Sequence, residues 1–312
     1  MAEPTRLRIL RLCADGELAV SEITQIVGQS QPRVSRHLKI LADTGLIEPM
    51  REGNWTFYRL ERDAGGVVES VLANTDPADD VFQADQEQLD LVREKRRRNA
   101  QSYFDVHASH WDEIRALHVD PDQVEQALLA QVPRGEFGVH LDIGTGTGRI
   151  LTLLAPRVRQ SVGIDNSRAM LAIARDAAIS AGYRGVSLRL ADMYNLPMPA
   201  GSVDLVTIHL VLHYADAPER AIAEAARVLR PGGRLIIIDF APHQIEELRA
   251  KHAHRRLGFT EDEVRLWLSD HGLGACRATS LEGGILTVTI WTGDAAEAQR
   301  ARPRRATGSP WI

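Results

Sequence analysis

The sequence predicts an α/β protein of two unequal parts. The first is an N-terminal α+β unit built on a helix-turn-helix, and the second is a C-terminal unit built on a doubly wound, mostly parallel sheet. Two short amphipathic helices joined by a glycine turn and followed by a hairpin predict the first part. From about residue 138, apolar runs alternate with helical segments, and the first run ends in a glycine-rich turn.

Residues 30–42 have the pattern of a basic amphipathic helix. Ser30 fits the N-cap and Gly45 fits the C-terminal cap. Three apolar side chains recur along one face: Val34, Leu38 and Leu41. Three cations fall on roughly the opposite face: Arg33, Arg36 and Lys39. Such a basic face either is solvated or contacts nucleic acid, and its neighbours in the chain decide between the two.

The segments on both sides of this helix favour nucleic acid. Upstream, "VSEITQIVG" is predicted to be a short helix with Ser21 as its N-cap and Gly28 as the turn. Downstream, "LIEPM" and "WTFYRL" are β-prone runs around the turn residues Gly53 and Asn54. A helix-turn-helix followed by a hairpin is a winged helix. Its second helix enters the major groove, and its wing lies over the backbone or the minor groove.

The stretches "ELAVSEI", "SQPRVSRHLKILADTGLI" and "REGNWTFYRL" resemble the ArsR family of dimeric bacterial winged-helix repressors, over about residues 3–73. The resemblance implies a homodimer formed by "PTRLRILRLC" and "GGVVESVLAN". Metal-sensing members often carry a cysteine pair where this chain reads "ELAVSEI", so we do not expect thiolate metal sensing there. The side chains that the resemblance places against operator DNA are Ser30, Gln31, Arg33, Ser35, Arg36, Lys39 and, on the wing, Arg51.

Composition limits the compartment and the source of any DNA affinity. The net charge is −5, so affinity for nucleic acid must come from a local patch. No apolar run reaches the roughly 18 residues of a membrane span, and the N-terminus has no uninterrupted apolar core, so we expect neither a membrane segment nor a signal peptide. Cys13 and Cys276 are too few for a disulfide framework or a zinc knuckle, which indicates a cytoplasmic protein without a structural metal.

The polar, proline-containing stretch "NTDPADD" (74–80) reads as a domain boundary. The long helical pattern over 85–114 contains the run "REKRRR", which is either a solvated helix face or a contact to DNA phosphates. The predicted organisation is a winged-helix domain over 1–75, a linker with connecting helices over 76–118, the sheet domain over 119–295 and a disordered tail over 296–312.

Three consecutive strands of the predicted sheet end in chemically informative residues. The first ends in the G-x-G-x-G turn of "DIGTGTGR", the second in Asp165 and the third in Asp192. Glycines at such a turn let a ligand approach the backbone, and a carboxylate at the tip of the second strand can accept both hydrogen bonds of a ribose diol. The same residues could also be mere turn formers and helix caps. A nicotinamide enzyme would need G-x-G-x-x-G, which is not the spacing here.

The stretches "LDIGTGTGR", "GIDNSRAM", "ADMYNLP" and "RVLRPGGRLIIIDF" resemble class I methyltransferases that use S-adenosylmethionine (SAM), over about residues 100–293. The resemblance implies that SAM or S-adenosylhomocysteine (SAH) is bound, with the glycines at the amino-acid part, Asp165 at the ribose and Asp192 at the adenine amine. It also makes "GACRATSL" and "ILTVTIWTG" an antiparallel last pair of strands. The residues implied at the cofactor are Asp142, which would order the glycine loop, Gly144, Thr145, Gly146, Gly148, Asp165, Asn166, Met170, Asp192, Met193 and His209.

The sequence does not identify a methyl acceptor. Transfer from a sulfonium is an in-line displacement, and a general base is needed only for some nucleophiles, so a histidine here is either a base or an orienting partner. Arsenite chemistry would need several cysteines as ligands. The proline-flanked aromatic of nucleic-acid methylases is replaced by "HLVLHY". A small-molecule acceptor remains, with these candidate residues at its site: Tyr103, Trp111, His209, His213, Tyr214, Asp239 and His243.

The two resemblances together predict a homodimeric transcriptional regulator that binds double-stranded operator DNA and senses SAM or SAH. Sensing requires each ligand to favour one of two dimer geometries, with a coupling of about 1–3 kcal/mol. The alternative is an active small-molecule methyltransferase that regulates its own operon. A pure interaction module with a dead site is disfavoured because the glycines and both strand-end acids are present.

Overall fold

The computed structural model describes residues 3–14, 16–52, 55–61, 64–76, 79–108, 120–132, 134–135, 137–183, 185–282 and 285–297. Two domains with separate apolar cores are connected by one long helix. Within the described ranges, no helix combines the length and the hydropathy that crossing a membrane requires. The predicted fold class is confirmed for both domains.

The N-terminal domain is a winged helix. Its three strands form an antiparallel sheet in the order β1-β3-β2, and helices α1 to α4 pack around it over an apolar core. The strands β2 and β3 are the two arms of the predicted hairpin, whose turn residues lie outside the described ranges. The elements are α1 (Pro4–Ala14), β1 (Leu18–Ala19), α2 (Val20–Val27), α3 (Gln31–Asp43), β2 (Ile47–Glu52), β3 (Trp55–Leu60) and α4 (Gly65–Leu72).

The N-terminal cap of α2 differs from the prediction. The helix begins at Val20, so Ser21 lies inside the first turn and cannot be the N-cap. Glu22 stabilises this end instead, because the Ala19 N–H donates to its Oε2 at 2.8 Å. Gly28 takes the left-handed conformation that the turn between α2 and α3 requires. Ser30 is the N-cap of α3 as predicted, although its side chain makes no capping hydrogen bond.

The wing strand β3 makes contacts on both faces. Tyr58 and Leu60 point to one face and pack on the core of the winged helix. Trp55, Phe57 and Arg59 point to the other face, which contacts the C-terminal domain. The wing is therefore part of the contact between the two domains.

Helix α5 (Asp80–His107) connects the domains. Leu89 and Val92 pack into the N-terminal core, and Asp85 accepts a hydrogen bond from Arg8 of α1 at 2.6 Å. At the other end, Asp105 accepts from the Ser167 hydroxyl of the C-terminal domain at 2.7 Å. With a rise of about 1.5 Å per residue, a helix of 28 residues spans roughly 40 Å. The helix ends at His107 with Ala108 as its C-cap, and residues 109–114 of the predicted helix, including Trp111, lie outside the described residues.

The C-terminal domain is a seven-stranded sheet in the order β6-β5-β4-β7-β8-β10-β9. Strands β4 to β8 are parallel, and β10 pairs antiparallel with both β8 and β9, as predicted for the last two strands. The elements are α6 (Pro121–Gln131), β4 (Val139–Ile143), α7 (Arg149–Leu154), β5 (Gln160–Asp165), α8 (Arg168–Ser180), β6 (Val186–Leu190), β7 (Val203–His209), α9 (Pro218–Val228), β8 (Leu229–Phe240), α10 (Glu247–His252), α11 (Glu261–Asp270), β9 (Leu273–Leu281) and β10 (Val288–Ala295).

The order of the strands indicates at which edge of the sheet a ligand is expected to bind. From β4 the chain builds β5 and β6 on one side of the sheet and β7 and β8 on the other, so the order reverses at β4. Ligands of open α/β sheets bind at the carboxyl ends of the strands beside such a reversal. Helix α9 ends at Val228, and β8 begins at the next residue, Leu229. At Gly233 a Cβ would lie 3.0 Å from the carbonyl oxygen of Asp204, so the backbones are in close contact there.

Candidate cofactor site and the cavity between the domains

The glycine turn after β4 requires glycine for two reasons. Gly144, Gly146 and Gly148 all have φ in the left-handed region, at 68°, 53° and 82°. A Cβ on Gly144 would also lie 2.4 Å from Cγ2 of Val211. A Cβ on Gly148 would lie 3.0 Å from Cβ of Ala174, where α8 packs against the turn. The turn is therefore narrow on both sides, and its first two glycines line a cavity.

A chain of buried hydrogen bonds lies under the turn. Asp142 accepts from the hydroxyls of Thr145 at 2.7 Å and Thr207 at 2.6 Å. Because Thr207 donates its only proton to Asp142, its oxygen accepts from His140 Nε2 at 2.8 Å. His140 Nδ1 then accepts from Ser161, at 3.3 Å. Burial lowers the pKa of His140 to about 3, so the imidazole is neutral. Asp142 thus binds the Thr145 side chain of the glycine turn.

Asp165 ends β5 beside this turn. Its Oδ2 accepts from the Gly146 N–H at 2.9 Å, and its Oδ1 accepts from the Ser167 N–H at 2.8 Å. Burial raises the pKa of Asp165 above its ordinary value, and these backbone hydrogen bonds oppose the rise. Each carboxylate oxygen can accept further hydrogen bonds, so the pair can still receive two hydroxyls of a diol.

A cavity of about 610 Å³ opens over these strand ends and extends to the winged helix. From the C-terminal domain it is lined by the glycine turn, Asp165 and the segment that carries α10. From the N-terminal domain, the lining residues are Ala19, Glu22, Trp55 and Phe57, and from α5 they are Arg96, Tyr103 and Phe104. The site is therefore shared by both domains, and its volume lies within the range of small-molecule sites.

The lining of the inner half fits SAM or SAH. The glycine turn leaves the backbone accessible where a Cβ would obstruct it, and the strand-end carboxylate of Asp165 suits a ribose diol. Nine of the predicted site residues line the cavity: Gly144, Gly146, Asp165, Asn166, Met170, Asp192, Met193, Tyr103 and Tyr214. Three more support it from below, Asp142, Thr145 and Gly148.

Four of the predicted acceptor-side residues do not line the cavity. His213 Nδ1 contacts Asp239 Oδ1 at 2.7 Å, and both side chains are buried. The His213 ring lies 4.1 Å from that of His254 and 4.1 Å from that of Tyr214, which does line the cavity. The pair therefore packs behind the wall and positions it, which corrects its assignment to the acceptor side. His209 and His243 lie near the strand ends but are not part of the wall.

Several residues that line the cavity were not predicted from the sequence. Trp55 and Phe57 were assigned only to the wing, and Arg249 and Arg255 were assigned no role. Arg96 belongs to the run interpreted as solvated or DNA-facing, yet its side chain is only 17% exposed. The stretch "WTFYRL" contained a signal that could have been used. Its apolar residues fall on both faces of the strand, and such a strand is expected to have contacts on both faces.

Two ion-pair clusters join the domains beside the cavity. In the first, Arg256 donates to Glu17 at 3.0 Å and to Glu263 at 2.9 Å, and Arg59 of the wing contacts the same two carboxylates at 3.4 Å. Glu17 belongs to the winged helix and Glu263 to α11, so each arginine bridges the two domains. The positive charges of the two arginines compensate the negative charges of the two glutamates, and charges buried in an interface require such compensation.

In the second cluster, Arg96 of α5 donates to Glu22 of α2 at 2.7 Å and to Asp216 at 3.1 Å. Arg255 contacts Asp216 at 3.0 Å and donates to the Glu17 carbonyl at 2.9 Å. Burial raises the pKa of Glu22, but the hydrogen bond and charge of Arg96 outweigh it, and the pKa is lowered overall. The first helix of the helix-turn-helix is thus linked to the C-terminal domain through Arg96 and Asp216.

The recognition helix α3 presents its predicted DNA face to solvent. The six predicted residues on it and before it are exposed, and so is the wing residue: Ser30, Gln31, Arg33, Ser35, Arg36, Lys39 and Arg51. Arg33 lies 4.0 Å from Glu3, a weak surface contact. Val34, Leu38 and Leu41 are buried on the opposite face, as their spacing predicts.

Comparison with known proteins agrees with this architecture. Residues 3–48 match the family described as "Bacterial regulatory protein, arsR family", and residues 141–237 match the family described as "Methyltransferase domain". The chain joins an ArsR-family helix-turn-helix to a class I methyltransferase domain. Both resemblances read from the sequence are thereby confirmed.

Several curated relatives are methyltransferases. A demethylmenaquinone methyltransferase of Thermus thermophilus is 42% identical over 106 residues, which are 33% of this chain and 47% of the relative. A malonyl-[acyl-carrier protein] O-methyltransferase of Methylococcus capsulatus is 35% identical over 153 residues, 47% of this chain and 53% of the relative. The chain thus spans about half the length of these curated relatives.

A solved structure shows the same fold. It is a methyltransferase of Haloferax volcanii in complex with its Trm112 activator, with a TM-score of 0.53 and 21% identity over 62% of this chain and 98% of that one. SAM is the cofactor of this domain class, so the cofactor predicted from the sequence is confirmed at that level.

Proposed function

We propose that the protein is a DNA-binding transcriptional regulator whose methyltransferase domain binds SAM or SAH as a signal. The observation that supports this most directly is the shared cavity, whose walls include α2 and the wing strand β3. A ligand in the cavity therefore contacts elements that pack on the recognition helix α3. In an enzyme merely tethered to a DNA-binding domain, no such contact would be needed.

The DNA contact is proposed for the exposed face of α3, with Arg33, Arg36 and Lys39 against base edges or phosphates and Arg51 of the wing against the backbone. This patch is cationic in a chain of net charge −5, so binding should be local and dependent on salt. We further propose a homodimer through α1 and α4, with operator half-sites about one helical turn apart.

A second function has support of its own, catalysis of methyl transfer to a small molecule. Two of the matching relatives are named demethylmenaquinone methyltransferase and malonyl-[acyl-carrier protein] O-methyltransferase. Beyond the strand ends, the cavity also has a wall of aromatic rings, which includes Tyr103, Phe104 and Tyr214. Bound SAM would supply the electrophilic methyl group, and the chain's own residues would hold and orient the acceptor.

Calorimetric titration of SAM and SAH tests the cofactor part of the proposal. We expect one site per chain in the parent, and a loss of about 1–3 kcal/mol in Asp165→Ala, because the ribose hydroxyls lose their acceptor in a buried site. The matched control is Asp176→Ala on the exposed side of α8, which should bind like the parent. Equal affinity in both variants would mean that the cofactor does not bind at Asp165.

Binding to DNA tests the regulatory part. Oligonucleotides enriched from a random pool by the purified protein should share a two-fold symmetric site. The same preparation, incubated with labelled SAM and small-molecule acceptors, tests the enzymatic alternative. Specific DNA binding without turnover supports the regulator, whereas turnover without specific DNA binding supports the enzyme.

A further inference from the structure

We propose that the outer part of the cavity is a binding site for a second small molecule, a neutral compound of one or two fused rings with a hydroxyl or amino group, and that the wing strand forms one wall of this site. The inference rests on the proposed function, because it assigns the inner part of the cavity to SAM or SAH. It adds a ligand class and gives the wing a role other than contact with DNA.

Aromatic rings from both domains line this outer part. Trp55 and Phe57 come from β3, with ring centroids 6.3 Å apart and planes nearly parallel at 19°. Phe104 and Tyr214 form an edge-to-face pair at 4.8 Å, and Tyr103 lies next to Phe104 at 5.9 Å. A wall of this kind gains most from a flat ring, since ring pairs add stacking and edge contacts to the burial of apolar surface.

Trp55 is far more exposed than its neighbour Phe57 on the same wall of the cavity. It is 45% exposed although it lies against the cavity, whereas its neighbour Phe57 is buried. The guanidinium groups of Arg249 and Arg255 lie 5.3 and 5.7 Å from the Phe57 ring and fix its place. A ligand that covers Trp55 would remove apolar surface from water, which is a favourable change.

The charges around the cavity favour a neutral ligand. Each cationic residue in the wall has a carboxylate partner in the structure: Arg96 has Glu22 and Asp216, Arg255 has Asp216, Arg249 has Glu246 and Lys251 has Glu247. A charged ligand beside Arg96 or Arg255 would have to displace the carboxylate of Asp216 and leave it uncompensated, which is costly because these side chains are largely buried. A neutral ring leaves the pairs intact.

Tyr103 supplies a polar group among the rings. Its hydroxyl lies 2.8 Å from Nδ1 of His252, and burial raises the pKa of Tyr103, so the hydroxyl keeps its proton. A phenolic oxygen has one proton to donate and two lone pairs. It can therefore share its hydrogen bonds with a ligand hydroxyl or amine, which is why the ligand class includes such a group.

The wing connects this site to the DNA-binding elements. Phe57 of β3 pairs directly with Ala19 of β1, and Ala19 caps the first helix of the helix-turn-helix. Ala19 and Glu22 line the same cavity. A ring that stacks on Trp55 thus touches the strand whose hairpin carries Arg51, and occupancy of the site should change the affinity for DNA.

The test uses the full chain saturated with SAH and 2-naphthol as the probe, titrated by calorimetry. We expect saturable binding to the parent and affinity weaker by about tenfold or more in Trp55→Ala, because the stacking surface is removed. The matched control is Leu91→Ala, which truncates an apolar side chain of similar exposure on α5, away from the cavity. The melting temperature and the SAH affinity of Trp55→Ala are measured alongside, so that a loss of stability or of cofactor binding is separated from a loss of the outer site.

Three outcomes would overturn the inference. The first is an absence of 2-naphthol binding to the parent up to about 1 mM. The second is equal affinity in Trp55→Ala and the parent, and the third is equally tight binding of 1-octanol, which has a hydroxyl but no ring. Failure of the proposed function gives a different result, because SAH itself would then not bind. If SAH binds and shifts the affinity for DNA, but Trp55→Ala and the parent bind 2-naphthol with equal affinity, only the present inference fails.

Discussion

The guanidinium of Arg256 donates to both carboxylate oxygens of Glu17, at 3.1 and 3.0 Å, across 239 residues of chain. Both side chains are almost fully buried, at 5% and 9% exposure, and Arg256 also holds Glu263. Glu17 immediately precedes β1, and Arg256 follows α10 next to Arg255, which lines the cavity. This contact makes the position of the winged helix depend on the segment that lines the ligand site.

Breaking this pair should be costly. We expect Arg256→Gln or Glu17→Gln alone to lower the free energy of unfolding by about 1.5–3 kcal/mol, since each removes buried charged hydrogen bonds while Arg59 or Glu263 still pairs with the remaining charge. In the double variant the loss should be smaller than the sum of the two, because the partner charge is gone too. Urea unfolding of the four proteins measures this coupling.

The matched control is the pair Arg265 and Glu261 on α11, which is exposed and spaced i,i+4. The corresponding glutamine variants should leave the unfolding free energy almost unchanged, because surface ion pairs contribute little. Additive losses for Arg256 and Glu17 would show that their contact does not hold the domains together.

Replacing Gly144 by alanine should affect SAH binding far more than replacing Gly201. Both glycines have a left-handed φ, 68° and 62°, so the backbone cost of about 1 kcal/mol is common to both. A Cβ at Gly144 collides with Val211 at the cavity, whereas nothing lies within 4 Å at Gly201. We expect a loss of SAH affinity of about tenfold or more in Gly144→Ala only. Calorimetry shows whether the two variants separate, and similar affinities would be inconsistent with a cofactor at this turn.

The buried imidazole of His140 should make stability fall in acid. Its pKa is lowered from 6.5 to about 3 by burial, so between these values the unfolded chain binds a proton that the folded chain does not. The stabilisation is therefore fully present above pH 6.5 and is lost as the pH falls toward 3. We expect the unfolding free energy of the parent to decline more steeply over this window than that of His140→Gln, by up to about 1.4 kcal/mol per pH unit. Equal slopes would show that His140 is protonated in the folded state.

Arg36 of α3 should contribute to DNA binding, whereas Arg265 of α11 should not. Both side chains are exposed, so both alanine variants should fold like the parent. If Arg36 reads a base, Arg36→Ala should weaken specific binding by about 1–3 kcal/mol, and if it contacts a phosphate, it should mainly reduce the salt dependence. Fluorescence anisotropy at several salt concentrations distinguishes a contact to a base from a contact to a phosphate. A variant that binds with parental affinity and parental salt slope would remove Arg36 from the interface.

Local patterns were sufficient to predict both folds. The i, i+4, i+7 spacing in α3 and the glycines and acids at the ends of β4, β5 and β6 are short-range features, and the structure places them as expected. The role of each of these residues depends on its position on one helix or at one edge of the sheet. The periodicity of the sequence already predicts that position. The capping of α2 was mispredicted because two polar residues, Ser21 and Glu22, compete to stabilise the same helix end.

The contact between the domains could not be predicted in the same way. Periodicity shows that a face is buried but not what covers it, so the outward face of β3 was read as wing only. Arg96 and Asp216 are 120 residues apart, and nothing local links them. The His213 and Asp239 pair looked like acceptor chemistry in the sequence because both lie near strand ends, yet the fold directs them into the packing behind Tyr214.

Coupling between the cavity and the DNA-binding face is tested most directly by the affinity for specific DNA, measured with no ligand, at saturating SAM and at saturating SAH. We expect at least one ligand to shift the dissociation constant by roughly 5- to 150-fold, and DNA to change the affinity for that ligand by the same factor. The Arg256→Gln variant should reduce the shift, because its contact to Glu17 joins the two sites. Three superimposable binding curves would contradict the account and leave the protein as a methyltransferase attached to an independent DNA-binding domain.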